Sequence, residues 1–161
     1  MRETPHIETI KHRLGQYLSL RMEIEIRLER LERLKSEELI PARRDDDGSQ
    51  HTSPAGDKLE RAIVRRMEYE ARVMPEIEQR RREMKEIEDA INALPDPMER
   101  LVLQLRYTEG DNCKPLAWRD IASRIFGSYS NGCLLATYRL HGRALENIQL
   151  PICEGEKTTN F

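Results

Sequence analysis

Between Asn131 and Leu145 the sequence places Arg139 and Arg143 four residues apart, and no carboxylate falls within that stretch. Asn131, Thr137, Tyr138 and His141 add further hydrogen-bonding groups to the same run. Guanidinium and amide groups can bond base edges or backbone phosphates, whereas a carboxylate there would meet phosphate repulsion. A helix of this composition therefore suits the major groove of duplex DNA. A plain third helix of a bundle, its two arginines solvated, is the competing reading.

Catalytic chemistry finds no comparable set. The sequence has no G-x-x-x-x-G-K and no H-E-x-x-H, and His6, His12, His51 and His141 are scattered. Cys113, Cys133 and Cys153 cannot all pair within one chain and form no C-x-x-C, so they read as free thiols of a reducing compartment. A zinc site built from Cys113, Cys133 and His141 would lack short-range paired ligands. Asp45, Asp46 and Asp47 are consecutive and point in different directions, unlike the alternating ligands of a calcium loop. The expectation is a non-enzyme with no catalytic residue, no cofactor and no metal.

The elements that would position such a helix follow from composition and periodicity. Of 161 residues, 35% are charged, 38% hydrophobic and 5% aromatic, a balance that suits long solvated helices better than a thick core. The net charge is −2, so contact with a polyanion must come from local clustering of positive charge. No apolar run approaches the roughly 20 residues that cross a bilayer, and the first residues lack the apolar core of a secretion signal. A cytoplasmic protein without membrane contact is expected.

Ile7, Ile10, Leu14 and Tyr17, then Ile24, Leu28 and Leu31, recur in steps of three and four with Arg21 interrupting the series, predicting one helix from about Pro5 to Glu38. Glu23 with Arg27 and Glu29 with Arg33 are i,i+4 pairs on its polar side. Residues 41–56 have almost no apolar content and read as a flexible connector. A second long helix begins near the N-cap candidate Asp57 and carries Leu59, Ile63, Val73, Ile77, Met84, Ile87, Ile91 and Leu94. Arg66 and Glu70 occupy its seam, and Pro75 should kink or restart it near Met74. An antiparallel helical hairpin over 1–94, closed on itself or on a second copy, is the simplest way to bury both stripes. Arg80, Arg81 and Arg82 sit among Glu76, Glu78, Glu83 and Glu86 and read as a self-paired, solvated face.

After Leu94 the pattern changes. Asp96 caps and Pro97 opens an amphipathic helix of about three turns that ends at Glu109-Gly110-Asp111-Asn112. Trp118, Ile121, Ala122 and Ile125 mark a shorter helix, and a third runs from about residue 130 to 148, a helix-turn-helix order. A start at Ser130 exposes Asn131 and Leu135 first, whereas a start at Cys133 moves Thr137 and Tyr138 outward. Trp118 reads as a core anchor. Gly15 and Gly142 are costly inside helices; a close neighbouring backbone would explain either, and a phosphate approach would also explain Gly142. The fold class expected is all-α: a long N-terminal hairpin for oligomerisation, a three-helix unit over 95–150, and a flexible tail over 151–161.

The string Ile91-Asn-Ala-Leu-Pro-Asp-Pro-Met-Glu-Arg-Leu-Val-Leu-Gln-Leu-Arg-Tyr107, with Trp118-Arg-Asp-Ile-Ala122 and Thr137-Tyr-Arg-Leu-His-Gly-Arg-Ala-Leu145, resembles the promoter-reading C-terminal module of sigma factors. It resembles more closely the phage and prophage sigma-like regulators of the ArpU/RinA late-transcription type. The likeness covers about a third of the chain. The linker from Gly110 to Leu116 and the turn from Tyr129 to Cys133 are longer than that pattern's. The resemblance implies a sequence-specific regulator of phage or prophage transcription that binds double-stranded DNA, with host RNA polymerase as a further partner. Dimerisation through the N-terminal helices is the expected state, because two linked readers raise the effective concentration at paired half-sites. Two alternatives remain: a small terminase-type DNA-packaging subunit, and a sigma-like module that binds polymerase without reading DNA.

Overall fold

A computed structural model of the chain describes residues 5–39 and 55–151, and among these every regular element is helical. Five α-helices follow one another: α1 (Pro5–Leu39), α2 (Ala55–Asn92), α3 (Pro97–Leu103), α4 (Trp118–Phe126) and α5 (Asn131–Asn147). α3 runs on into a π-helical turn, Gln104–Thr108. The connector expected over 41–56 lies outside the described residues except for Ala55 and Gly56, which open α2 ahead of Asp57. The tail beyond Pro151 also lies outside them.

Packing divides the chain into two units, Glu23–Arg80 and Met1–Met22 with Arg81–Phe161. In the first, Ile24, Leu31 and Leu34 of α1 and Val73 and Ile77 of α2 are buried. Glu23 meets Arg80 at 3.0 Å, Arg27 meets Glu76 at 3.0 Å and Glu38 meets Arg66 at 2.6 Å, so the two helices run antiparallel here. Arg66 also bonds Glu70 at 2.7 Å, which satisfies the charged pair that the seam's periodicity placed there. The i,i+4 pairs form as well, Glu23 with Arg27 at 3.4 Å and Glu29 with Arg33 at 3.2 Å. Such part-exposed pairs contribute up to about 1 kcal/mol each, so apolar burial carries most of the pairing. Pro75 does not restart α2, which is continuous through it. Ala71 and Pro75 are both exposed, so the carbonyl left without an amide can bond water.

The second unit holds the larger core. Its boundary is not residue 94, where composition changes. Ile10, Leu14, Tyr17 and Leu18 of α1 and Ile87, Ile91 and Leu94 close on Val102, Leu103, Leu105, Ile121, Leu140, Ala144, Leu145 and Ile148. Three short helices cannot bury a core of this size alone, so they recruit the N-terminal end of α1 and the C-terminal end of α2. Arg21 donates to the carbonyls of Thr108, at 3.1 Å, and Gly110, satisfying acceptors where the π turn ends. After it, Asp111–Lys114 forms a tight turn closed by Lys114 N–H to Asp111 O at 2.7 Å, with Asn112 and Cys113 both at positive φ.

The glycines separate by their surroundings. A Cβ on Gly110 would lie 2.1 Å from the Lys114 carbonyl oxygen and 2.6 Å from Leu18 Cδ1, so only glycine fits. A Cβ on Gly15 or Gly142 would have nothing within 4 Å among the described residues, so no neighbouring backbone of the chain closes on either. Gly15→Ala should therefore raise unfolding stability by about 0.5–1 kcal/mol, and Gly110→Ala should lower it by about 1–3 kcal/mol, both read by urea titration.

Tyr17 donates its hydroxyl to Glu88, and burial followed by that bond pushes its pKa up to about 12. An unfolded tyrosine ionises near 10, so the unfolded chain sheds this proton first and stability falls as pH rises from about 10 to about 12. Tyr17→Phe should flatten that part of the stability profile.

Candidate nucleic-acid interface

α5 owes its position to caps and to one inward face. Ser130 is its N-cap, its side chain accepting from Cys133 N–H at 3.4 Å, so the helix takes the earlier of the two registers considered. Before it, α4 ends at Gly127, which adopts φ +69° and donates to Ser123 O at 2.8 Å. α3 starts at the expected cap, with Asp96 accepting from Met98 N–H at 2.8 Å. Leu140, Ala144 and Leu145 of α5 then pack on α3 and α4, and the small Ala122, fully buried, lets the helices approach.

Two of the six residues read as DNA contacts turn inward. Thr137 is fully buried and donates to the Cys133 carbonyl at 2.8 Å, within its own helix. His141 is buried, with Nε2 3.0 Å from the Tyr107 hydroxyl and its ring edge-on to Trp118. Both share the rotational position of Leu140, Ala144 and Leu145 on α5, so they hold the helix in place and cannot reach a groove. Trp118 is the anchor of this cluster: the Arg106 guanidinium lies 4.5 Å over its ring, and Tyr138 meets it edge-on at 5.0 Å.

The other four are exposed. Asn131, Tyr138, Arg139 and Arg143 lie on the outward side of α5, with Leu135 between Asn131 and the pair Tyr138–Arg139. Arg143 is 60% exposed yet reaches Asp96 and Glu99, each at 3.7 Å. Glu99 is buried and accepts from the Asn147 amide at 3.1 and 3.0 Å, so this acidic pair tethers the end of α5 to the start of α3. Arg139 carries no ion pair among the described residues, and neither do Arg119 and Arg124 on α4, both exposed.

Arg119 and Arg124 were not singled out from sequence, although the signal is there. Across α4 and α5 four arginines face two acids, Asp120 and Glu146, a net charge of +2 in a chain whose net charge is −2. The positive charge is therefore local to α4 and α5. Phe126, the last residue of α4, and Tyr129, within the turn that follows, are also exposed.

Cys113 and Cys133, drawn together with His141 in the zinc alternative, have other surroundings. Cys113 Sγ lies 3.1 Å from Met22 Sδ, and Cys133 Sγ lies 3.2 Å from Ser130 Oγ. No group of three metal-ligating side chains is assembled among the described residues. No helix among them is long and apolar enough to cross a membrane.

Because the Tyr107 hydroxyl meets His141 Nε2 inside the unit, Tyr107→Phe should lower unfolding stability by about 1 kcal/mol through loss of that hydrogen bond, while leaving the outward face of α5 unchanged. Urea unfolding checks the first part, and retention of any duplex affinity checks the second. No family model, curated protein or solved structure matches this chain.

Proposed function

We propose that α4 and α5 act as a helix-turn-helix that binds double-stranded DNA, with α5 as the helix entering the major groove, in a regulator of phage or prophage transcription. The observation that supports this reading best is the outward face of α5, where Arg139 makes no ion pair among the described residues and no acid intervenes between Asn131 and Leu145. Asn131 and Arg139 lie two turns apart, a span that covers successive base pairs of a groove. Arg119 and Arg124 supply charge for the phosphates on either side. Arg143 takes a lesser part, because Asp96 and Glu99 compete with phosphate for it.

Arg139→Ala should weaken binding to a duplex selected from a random pool by about 5–150-fold if the residue reads a guanine, and flatten the preference among sequences. Arg143→Ala should cause a smaller loss. Fluorescence anisotropy at fixed salt measures both. Unchanged affinity in the Arg139 variant would remove the reading.

The N-terminal helical hairpin would join two such readers. In the Glu23–Arg80 unit, Val64 and Met67 of α2 are 46% and 56% exposed although apolar, and two-helix units rarely persist alone. A dimer by sedimentation, reduced to monomer by Val64→Glu with Met67→Glu, fits the regulator. A ring of eight or more would instead favour a DNA-packaging subunit. The exposed Phe126 and Tyr129 favour a second role for this module, contact with RNA polymerase, which a polymerase pull-down with Phe126→Ala and Tyr129→Ala would test.

A further inference from the structure

The outward face of α5 is not uniformly polar. Leu135 sits at its centre, 50% exposed, one turn after Asn131 and one turn before Tyr138 and Arg139. It belongs neither to the core of its unit nor to the side chains packed against that core, whereas its neighbour Tyr138 is held edge-on against Trp118. Isolated surface leucines are ordinary, but this one is bracketed by groups suited to base edges.

The charge around it selects the kind of surface that can cover it. With four arginines against Asp120 and Glu146, α4 and α5 carry a net charge of +2, and the complementary partner is a polyanion. In the major groove of a duplex the apolar feature among the base edges is the 5-methyl group of thymine. Resting on the DNA-binding reading above, we infer that Leu135 is a specificity-determining residue that selects thymine by packing its branched end on that methyl. Asn131 and Arg139, one turn to either side, read the flanking bases through hydrogen bonds. The target therefore carries a thymine between the positions those two residues contact.

The test uses the full chain and the best duplex from a random-pool selection, prepared once with thymine and once with uracil at every thymine of the site. This exchange removes the methyl and keeps every hydrogen-bonding group. The wild-type protein should bind the uracil duplex about fourfold more weakly per contacted methyl. Leu135→Ala, a surface change checked for folding by circular dichroism, should bind the thymine duplex about fourfold more weakly and no longer distinguish the two. Equal binding of both duplexes by the wild type, or equal discrimination by the Leu135 variant, would overturn the assignment while sequence-specific binding stands. Failure to retain any duplex would overturn the DNA-binding reading together with it.

Discussion

The orientation of α5 about its own axis is the constraint on which the proposed function depends. That orientation is set by burial. Leu140, Ala144, Leu145 and Ile148 dock in the unit's core, Thr137 and His141 extend the same face toward the helix start, and the 3.6-residue period then fixes what points outward. Trp118 is central to this arrangement, since Arg106 covers its ring while Tyr138 and His141 abut it. Rotating α5 by one residue, about 100°, would carry the core leucines toward water and bring Arg139 against the core.

Charge distribution builds on that frame. The chain as a whole is slightly acidic and nearly neutralises itself along α1 and α2, where arginines pair with glutamates of the same helix or across the seam. α4 and α5 depart from this rule: Arg119, Arg124 and Arg139 are exposed and make no ion pair among the described residues. Arg143 is the intermediate case. It stands on the outward side but reaches two acids of α3, which ties the end of α5 down and lowers its availability to a ligand.

Much of the helical framework was legible because its punctuation is chemical. Asp96-Pro97 and Ser130 perform at their positions what their side chains favour, and the earlier register of α5 follows from the Ser130 cap. The all-helical class followed from the three-four spacing together with the charge-rich, aromatic-poor composition. The candidate site was legible in part. Thr137 and His141 were read as outward because polar types near arginines suggest a solvated face. Their spacing to Ala144 and Ile148 already placed them on the inward stripe, and only partners within reach, the Cys133 carbonyl and the Tyr107 hydroxyl, make such burial affordable. The recruitment of Ile10, Leu14 and Ile87 into the C-terminal core was not legible, because it depends on contacts between segments some 80 residues apart. Nor was the π-helical turn, which Arg21 supports from another helix.

The central claim is that one face of α5 meets duplex DNA. Amide chemical shifts of labelled protein, followed through titration with a selected duplex, test it most directly. The account predicts the largest shifts at Asn131, Leu135, Tyr138 and Arg139, smaller ones at Arg119 and Arg124, and little change at Leu140, Ala144 and Leu145. Shifts confined to Glu23–Arg80, or none at all at saturating duplex, would contradict it.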